Sequence, residues 1–338
     1  MTPNAERDFR LDLVRGVAIA LVLLWHTQPF NGLWIPHLYQ ASGWALFLLN
    51  MQLSLIAVPT LLLLSLTLFV ARCGTSGAYL RRRLKRIGLL LVTYSVVQVV
   101  FFIAIRGQLP SLNVSYLWMG GPPLPLVGDS VFYFLFDLFC LTALAWLYMR
   151  LPARAQNPLG ITIVVTSFAL FCLASTGALD IPYWSLANFA LYVPLAAFLH
   201  KSRPSLRPAH LGPLLGLWLG TVALDLVLNS PFPFSLEMAP TPIYGRVSIA
   251  LGAFTVLLAA QTLEFRRSWP LELAGRYSLG LYAYHKYFLY LFTAWLAPLS
   301  LSVRGEHLNP TFAALFAVAA TVGLVGVLAR TRLRALVA

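Results

Sequence analysis

Arg15 and His26 stand in the first long apolar stretch of the chain with ten residues between them. On an α-helix, eleven steps of about 100° return the second side chain to within roughly 20° of the first, about 16 Å further along the axis. One helical stripe then carries a permanent cation near its start and an imidazole deeper in the apolar run. Ionisable groups are costly inside a membrane and are kept there mostly for function. An imidazole there can act as a general base or as a nucleophile. The plainer alternative makes Arg15 a topology marker and His26 an interfacial residue, and from these two residues alone it stays open.

A second set lies near the C-terminal end. Ser278, Tyr282 and His285 follow one another at spacings of four and three, on one helical face. Hydroxyl, phenol and imidazole on one stripe suit a hydrogen-bonding acceptor such as a sugar, although an interhelical polar seam would look the same. Asp137, Asp225 and Lys286 also fall within apolar runs and must face protein or water. For the two aspartates, a part in helix packing is the alternative. Between Arg81 and Arg86, five of six positions are basic. Such a run can grip anionic lipid headgroups or a soluble polyanion such as the phosphates of an acyl-coenzyme A. Charge alone does not decide between them.

The elements that hold these residues follow from composition. The chain has 338 residues, 59% of them hydrophobic and 10% charged, which describes a polytopic membrane protein. Its formal charge of +13 does not indicate nucleic acid, because the basic residues lie between apolar runs. Cys73, Cys140 and Cys172 lack paired spacing, so neither a disulfide framework nor a zinc site is expected, and no other metal site is. Glycine-rich phosphate loops, a G-x-S-x-G elbow and HExxH are missing.

Ten apolar stretches of spanning length are predicted as helices, at about 12–30, 44–71, 87–105, 130–149, 159–176, 184–200, 212–228, 246–264, 277–299 and 310–328. Continuous runs without alternation exclude a membrane barrel. The first stretch lacks a convincing cleavage site and reads as a retained span. With the N-terminus in the cytoplasm, 20 of the 24 Lys and Arg residues fall on the cytoplasmic side. Only Arg106, Arg246, Lys286 and Arg304 do not. The expected fold is therefore an all-α polytopic domain of about ten transmembrane helices with both termini cytoplasmic. It is read as a single domain over 1–338 with no appended soluble domain. Loops 107–128 and 229–245, rich in Pro, Gly, Ser and aromatics, read as outward caps over a cavity mouth.

Taken in order, these motifs resemble the acyltransferase 3 family of bacterial membrane O-acyltransferases. Phe9-Arg10-Leu11-Asp12-Leu13-Val14-Arg15 followed by His26 is similar to that family's first helix. Val58-Pro59-Thr60 through Ser65 resembles its "VPxFFxxSG", and Arg83-Leu84-Lys85-Arg86-Ile87 its "KRxxRI". Tyr133-Phe134-Leu135 resembles "WFL", and Gly275 to His285 resembles "GRxSYxIYLxH". The chain departs at Leu66, where the family has glycine, and at Val131, where histidine is frequent. The proline expected soon after the third-helix basics is absent as well. These changes bear on the acceptor more than on the reaction.

The resemblance implies transfer of an acyl group, most often acetyl, from cytoplasmic acyl-CoA to a hydroxyl of a cell-envelope glycan, glycolipid or glycoside. The setting would be the bacterial cytoplasmic (inner) membrane. No tightly bound cofactor is expected; acyl-CoA is the donor substrate, and membrane lipid and the acceptor are the other partners. His26 would serve as general base or brief acyl carrier. Arg15 would bind donor phosphate or stabilise charge at the thioester carbonyl, with both residues lining one hydrated chamber. Arg82, Arg83 and Arg86 would hold the donor phosphates, and Ser278, Tyr282 and His285 would shape the acceptor pocket. A transporter or flippase for a glycolipid or polar solute is the rival, with the intramembrane acids, histidines and lysine as a proton path.

Overall fold

A computed structural model of the chain describes residues 9–27, 48, 52–73, 76–107, 109, 133–175, 178–179, 181–202, 207–229, 244, 246–292, 302–303, 306–307 and 309–338. Most of both predicted cap loops, 110–128 and 230–243, lies outside the described residues.

The described architecture is helical apart from one antiparallel pair of two-residue strands, Ser302–Val303 with Glu306–His307. The helices in chain order are α1 (Phe9–Thr27), α2 (Ser54–Cys73), α3 (Gly77–Arg106), α4 (Tyr133–Arg150), α5 (Ala153–Ser175), α6 (Tyr192–Ser202), α7 (Leu211–Asn229), α8 (Val247–Thr262), α9 (Trp269–Arg276), α10 (Ser278–Leu291) and α11 (Asn309–Leu328). Among the described residues, α2, α3, α4, α5 and α11 are long and apolar enough to cross a membrane. Among the described residues, each predicted stretch overlaps a helix, but α6, α8 and α10 are short, with 11, 16 and 14 residues, and five, not ten, helices are long and apolar enough to span. The segment before α6 is spent on turns and a 3-10 turn, Leu186–Asn188, rather than continuing the helix upstream.

α3 starts ten residues before its predicted apolar stretch. Ser76 caps it by accepting a hydrogen bond from the Tyr79 backbone N–H, and Gly107, at φ 68°, ends it in the left-handed conformation. Its 30 residues make a rod of about 45 Å, longer than the roughly 30 Å hydrocarbon core, so the basic first turns can extend beyond the lipid. Further along, Leu89, Val92, Val96 and Val100 are exposed at helical spacing. Asp12, Asp137, Asp225, Arg246 and His285 are instead buried. Apolar groups outward with ionisable groups inward is the arrangement that lipid as solvent imposes.

The chain forms two compact units, one of residues 1–57 and 256–338 and the other of 58–255. In the first, α1 packs on α9, α10 and α11, and α10 packs on α11. The α1–α9 contact depends on two glycines that face each other's backbone. A Cβ on Gly16 would run into the Leu271 carbonyl, and one on Gly275 into the Asp12 carbonyl. Such small-residue contacts let helix axes approach closely where lipid offers no hydrophobic drive. In the second unit, α4 packs on α3 and α6, and α5 packs on α6.

α9 is a short helix that the apolar pattern did not anticipate, since it precedes the predicted 277–299 run. Trp269 at its start is 73% exposed, as suits a side chain at a membrane interface.

Candidate functional site

Within the first unit, α1 and α10 bring His26 and His285 into ring contact, with centroids 5.0 Å apart and planes 37° from parallel. His285 is fully buried, whereas His26 is half-buried. The His285 Nδ1 lies 3.1 Å from the Leu281 carbonyl oxygen, one turn back on the same helix. Donation from Nδ1 fixes the ring and leaves Nε2 as the lone-pair nitrogen, and among the described residues no hydrogen bond reaches that atom. Tyr282 stands edge-on to His285 with centroids 6.1 Å apart. The charge of Lys286 acts on both imidazoles. This corner of α1 and α10 therefore joins a half-buried imidazole to a fully buried one that is oriented by the backbone. Two adjacent imidazoles can accept, hold and return a proton.

Ser278, the first residue of α10, is half-exposed and lies about 10 Å along the axis from His285. Of the predicted acceptor set, the structure brings Tyr282 and His285 together, while Ser278 stands at the helix start. Arg15 lies two turns into α1, where its Nη1 donates to Asp12 Oδ1 at 3.1 Å in an i,i+3 ion pair. Their side chains are 30% and 7% exposed respectively. Asp12 thereby fixes the direction of the cation. The helical rise of about 16 Å separates Arg15 from His26, so the two cannot serve the same reacting atom. The neighbour brought to His26 is His285.

In the second unit, Arg83 is half-buried between helices. Its Nη2 donates to the Ser65 hydroxyl at 2.7 Å and to the Ser65 carbonyl at 3.3 Å, and its guanidinium lies 5.5 Å from the Phe69 ring centre. Ser65 and Arg83 belong to two motifs that are separate in sequence, and this contact joins α2 to α3. Arg82 and Arg86 are exposed. Ser65→Ala is expected to cost about 1 kcal/mol, the ordinary net worth of such a bond. A lower thermal midpoint in detergent would show it, with Arg82→Ala leaving the midpoint in place.

The sequence profile described as an acyltransferase domain, Acyl_transf_3, matches residues 8–330. The chain belongs to the acyltransferase 3 family. No curated protein and no solved structure matches it. Family and apolar helices together make it a multi-pass membrane protein of an acyltransferase family. The family match spans both units, so the His26–His285 corner and the Ser65–Arg83 contact belong to one acyltransferase 3 region.

Three features of this acyltransferase 3 chain gain their meaning from the structure. Asp12 was legible, since it precedes Arg15 by three positions at helical ion-pair spacing. The Arg83–Ser65 bond had no local signal. Arg246, one of the four basic residues off the cytoplasmic side, is 1% exposed and so is part of the interior. Among the described residues, no group of three or more His, Cys, Asp or Glu side chains could hold a metal ion.

Proposed function

We propose that the chain is an O-acyltransferase with ten membrane spans and both termini cytoplasmic, in the bacterial inner membrane. It moves an acyl group, acetyl in the first instance, from cytoplasmic acyl-CoA to a hydroxyl of a cell-envelope glycan, glycolipid or glycoside. The contact between half-buried His26 and buried His285 carries this reading. His26 takes the proton of the acceptor hydroxyl as its oxygen attacks the thioester carbonyl. The C–S bond then breaks, and the departing coenzyme A thiolate takes the proton back from the imidazolium. The ester and free coenzyme A are the products, with atoms and charge balanced. His285, held by the Leu281 carbonyl, positions His26 and shares its proton.

Arg15, oriented by Asp12 and about 16 Å from His26 along the helix, binds donor phosphate and not the reacting carbonyl. The extended pantetheine arm of a coenzyme A thioester covers a distance of that order. Arg82 and Arg86, exposed on α3, and Arg83, aimed by Ser65, add donor-phosphate contacts. Tyr282 and Ser278 contribute to the acceptor pocket.

Purified protein with radiolabelled acetyl-CoA and a panel of cell-envelope glycans tests the proposal. Acceptor-dependent release of coenzyme A with label in the glycan is expected. Solute uptake into vesicles without coenzyme A release would overturn it and support a transporter.

A further inference from the structure

At one end of the second unit lies a buried cation that the acyl-transfer chemistry does not use. Arg246, immediately before α8, is 1% exposed, and among the described residues none of its Nε, Nη1 and Nη2 has a hydrogen-bond partner. The carboxylate of Asp225 on α7 is near enough for its charge to act on Arg246, yet it accepts the hydroxyl hydrogen of Ser248. Two tyrosines hold Tyr244, two residues upstream, one by its hydroxyl and one by its carbonyl. The Tyr133 hydroxyl bonds the Tyr244 hydroxyl at 3.0 Å, and the Tyr192 hydroxyl donates to the Tyr244 carbonyl at 3.3 Å. Phe189 packs on the Tyr244 ring at 5.2 Å. The guanidinium is therefore presented from an anchored strand of chain.

A buried polar group without a partner is destabilising, and more so when it is charged. A fold that keeps such a group anchored holds it for something that binds. A guanidinium presents its N–H donors as a planar fork matched to the two oxygens of a carboxylate or phosphate. We propose that Arg246, supported by Asp225, Ser248 and Tyr244, is the binding site for an oxyanion on the acceptor, a sugar carboxylate or a phosphate. This rests on the acyltransferase reading above. In that topology the ends of α4, α7 and α8 that carry Tyr133, Asp225 and Arg246 face the outer side, where a cell-envelope acceptor arrives.

The test is binding without any acyl donor, read as the thermal midpoint of the purified full-length chain in detergent. The probes are glucuronate, glucose 6-phosphate and glucose. Saturable stabilisation by at least one of the two anions, and none by glucose, is expected; which anion works identifies carboxylate or phosphate as the source. Arg246→Lys keeps the charge and loses the fork, and is expected to weaken that binding at least tenfold. Arg246→Gln is expected to abolish it. If neither variant folds, the comparison of anions with glucose on the native chain decides. No response to either anion, equal stabilisation by glucose, or undiminished binding in Arg246→Gln would overturn the site. So would an Asp225→Asn, Arg246→Gln pair that binds the anion as the native chain does, because Arg246 would then only balance Asp225. Failure here leaves acyl transfer to a neutral acceptor intact. An inactive protein that still binds the anion would sink the transfer reading alone.

Discussion

His26→Ala is expected to lower acyl transfer about a thousandfold or more while the protein inserts, purifies and melts as the native chain does. Positioned acid–base groups contribute about 10²–10⁴ to rate, and of the two imidazoles in the α1–α10 corner His26 is the less buried. Stability is spared because His26 is half-buried, at the end of α1, and is not a fully packed core residue. His26→Gln, which keeps polarity and removes the base, is expected to be as inactive. His285→Gln is expected to lose less, since a residue acting through His26 alters the pH profile of transfer more than it removes the base. Purified protein with labelled acyl-CoA and acceptor reads these outcomes. Retained activity in His26→Ala would end the central role given to this residue.

Gly16→Ala is expected to destabilise the first unit by about 2–3 kcal/mol or more, the upper range for inserting a methyl where nothing can yield. The obstacle is the Leu271 carbonyl, which is main chain, so the helices themselves must part. Gly275→Ala meets the Asp12 carbonyl and is expected to behave alike. Because Asp12 also pairs with Arg15, separating α1 from α9 disturbs that ion pair as well. Gly220 on α7 has open space around it, and Gly220→Ala is the control. That change is expected to leave the thermal midpoint level or raise it slightly, since alanine is the better helix former. Equal midpoints for Gly16→Ala and Gly220→Ala would refute the close crossing.

Where the two predictions meet, the roles of neighbouring motif residues separate. Arg15 and Gly16 are adjacent, yet one points to Asp12 and the other makes room for Leu271. Gly275 and Arg276 divide in the same way, the glycine buried against α1 and the arginine exposed. A motif read as a string of binding residues is thus partly a packing device. Adjacent helical positions point about 100° apart, so only one of each pair can face the neighbouring helix.

The amino-acid sequence by itself determined the membrane class, the helical architecture and the reaction family. Lipid supplies no hydrogen bonds, so every span must be a long apolar run with its backbone satisfied internally, and such runs are visible residue by residue. The stripe shared by Arg15 and His26, and that shared by Tyr282 and His285, follow from helical periodicity and needed no fold. Tertiary structure alone decided that His26 meets His285, that Arg83 bonds Ser65, that Gly16 and Gly275 make the α1–α9 crossing, and that Arg246 is interior. Each of these joins different helices, or turns on burial. Periodicity reports which face of a helix a residue occupies; which partner that face meets is set by how the helices pack.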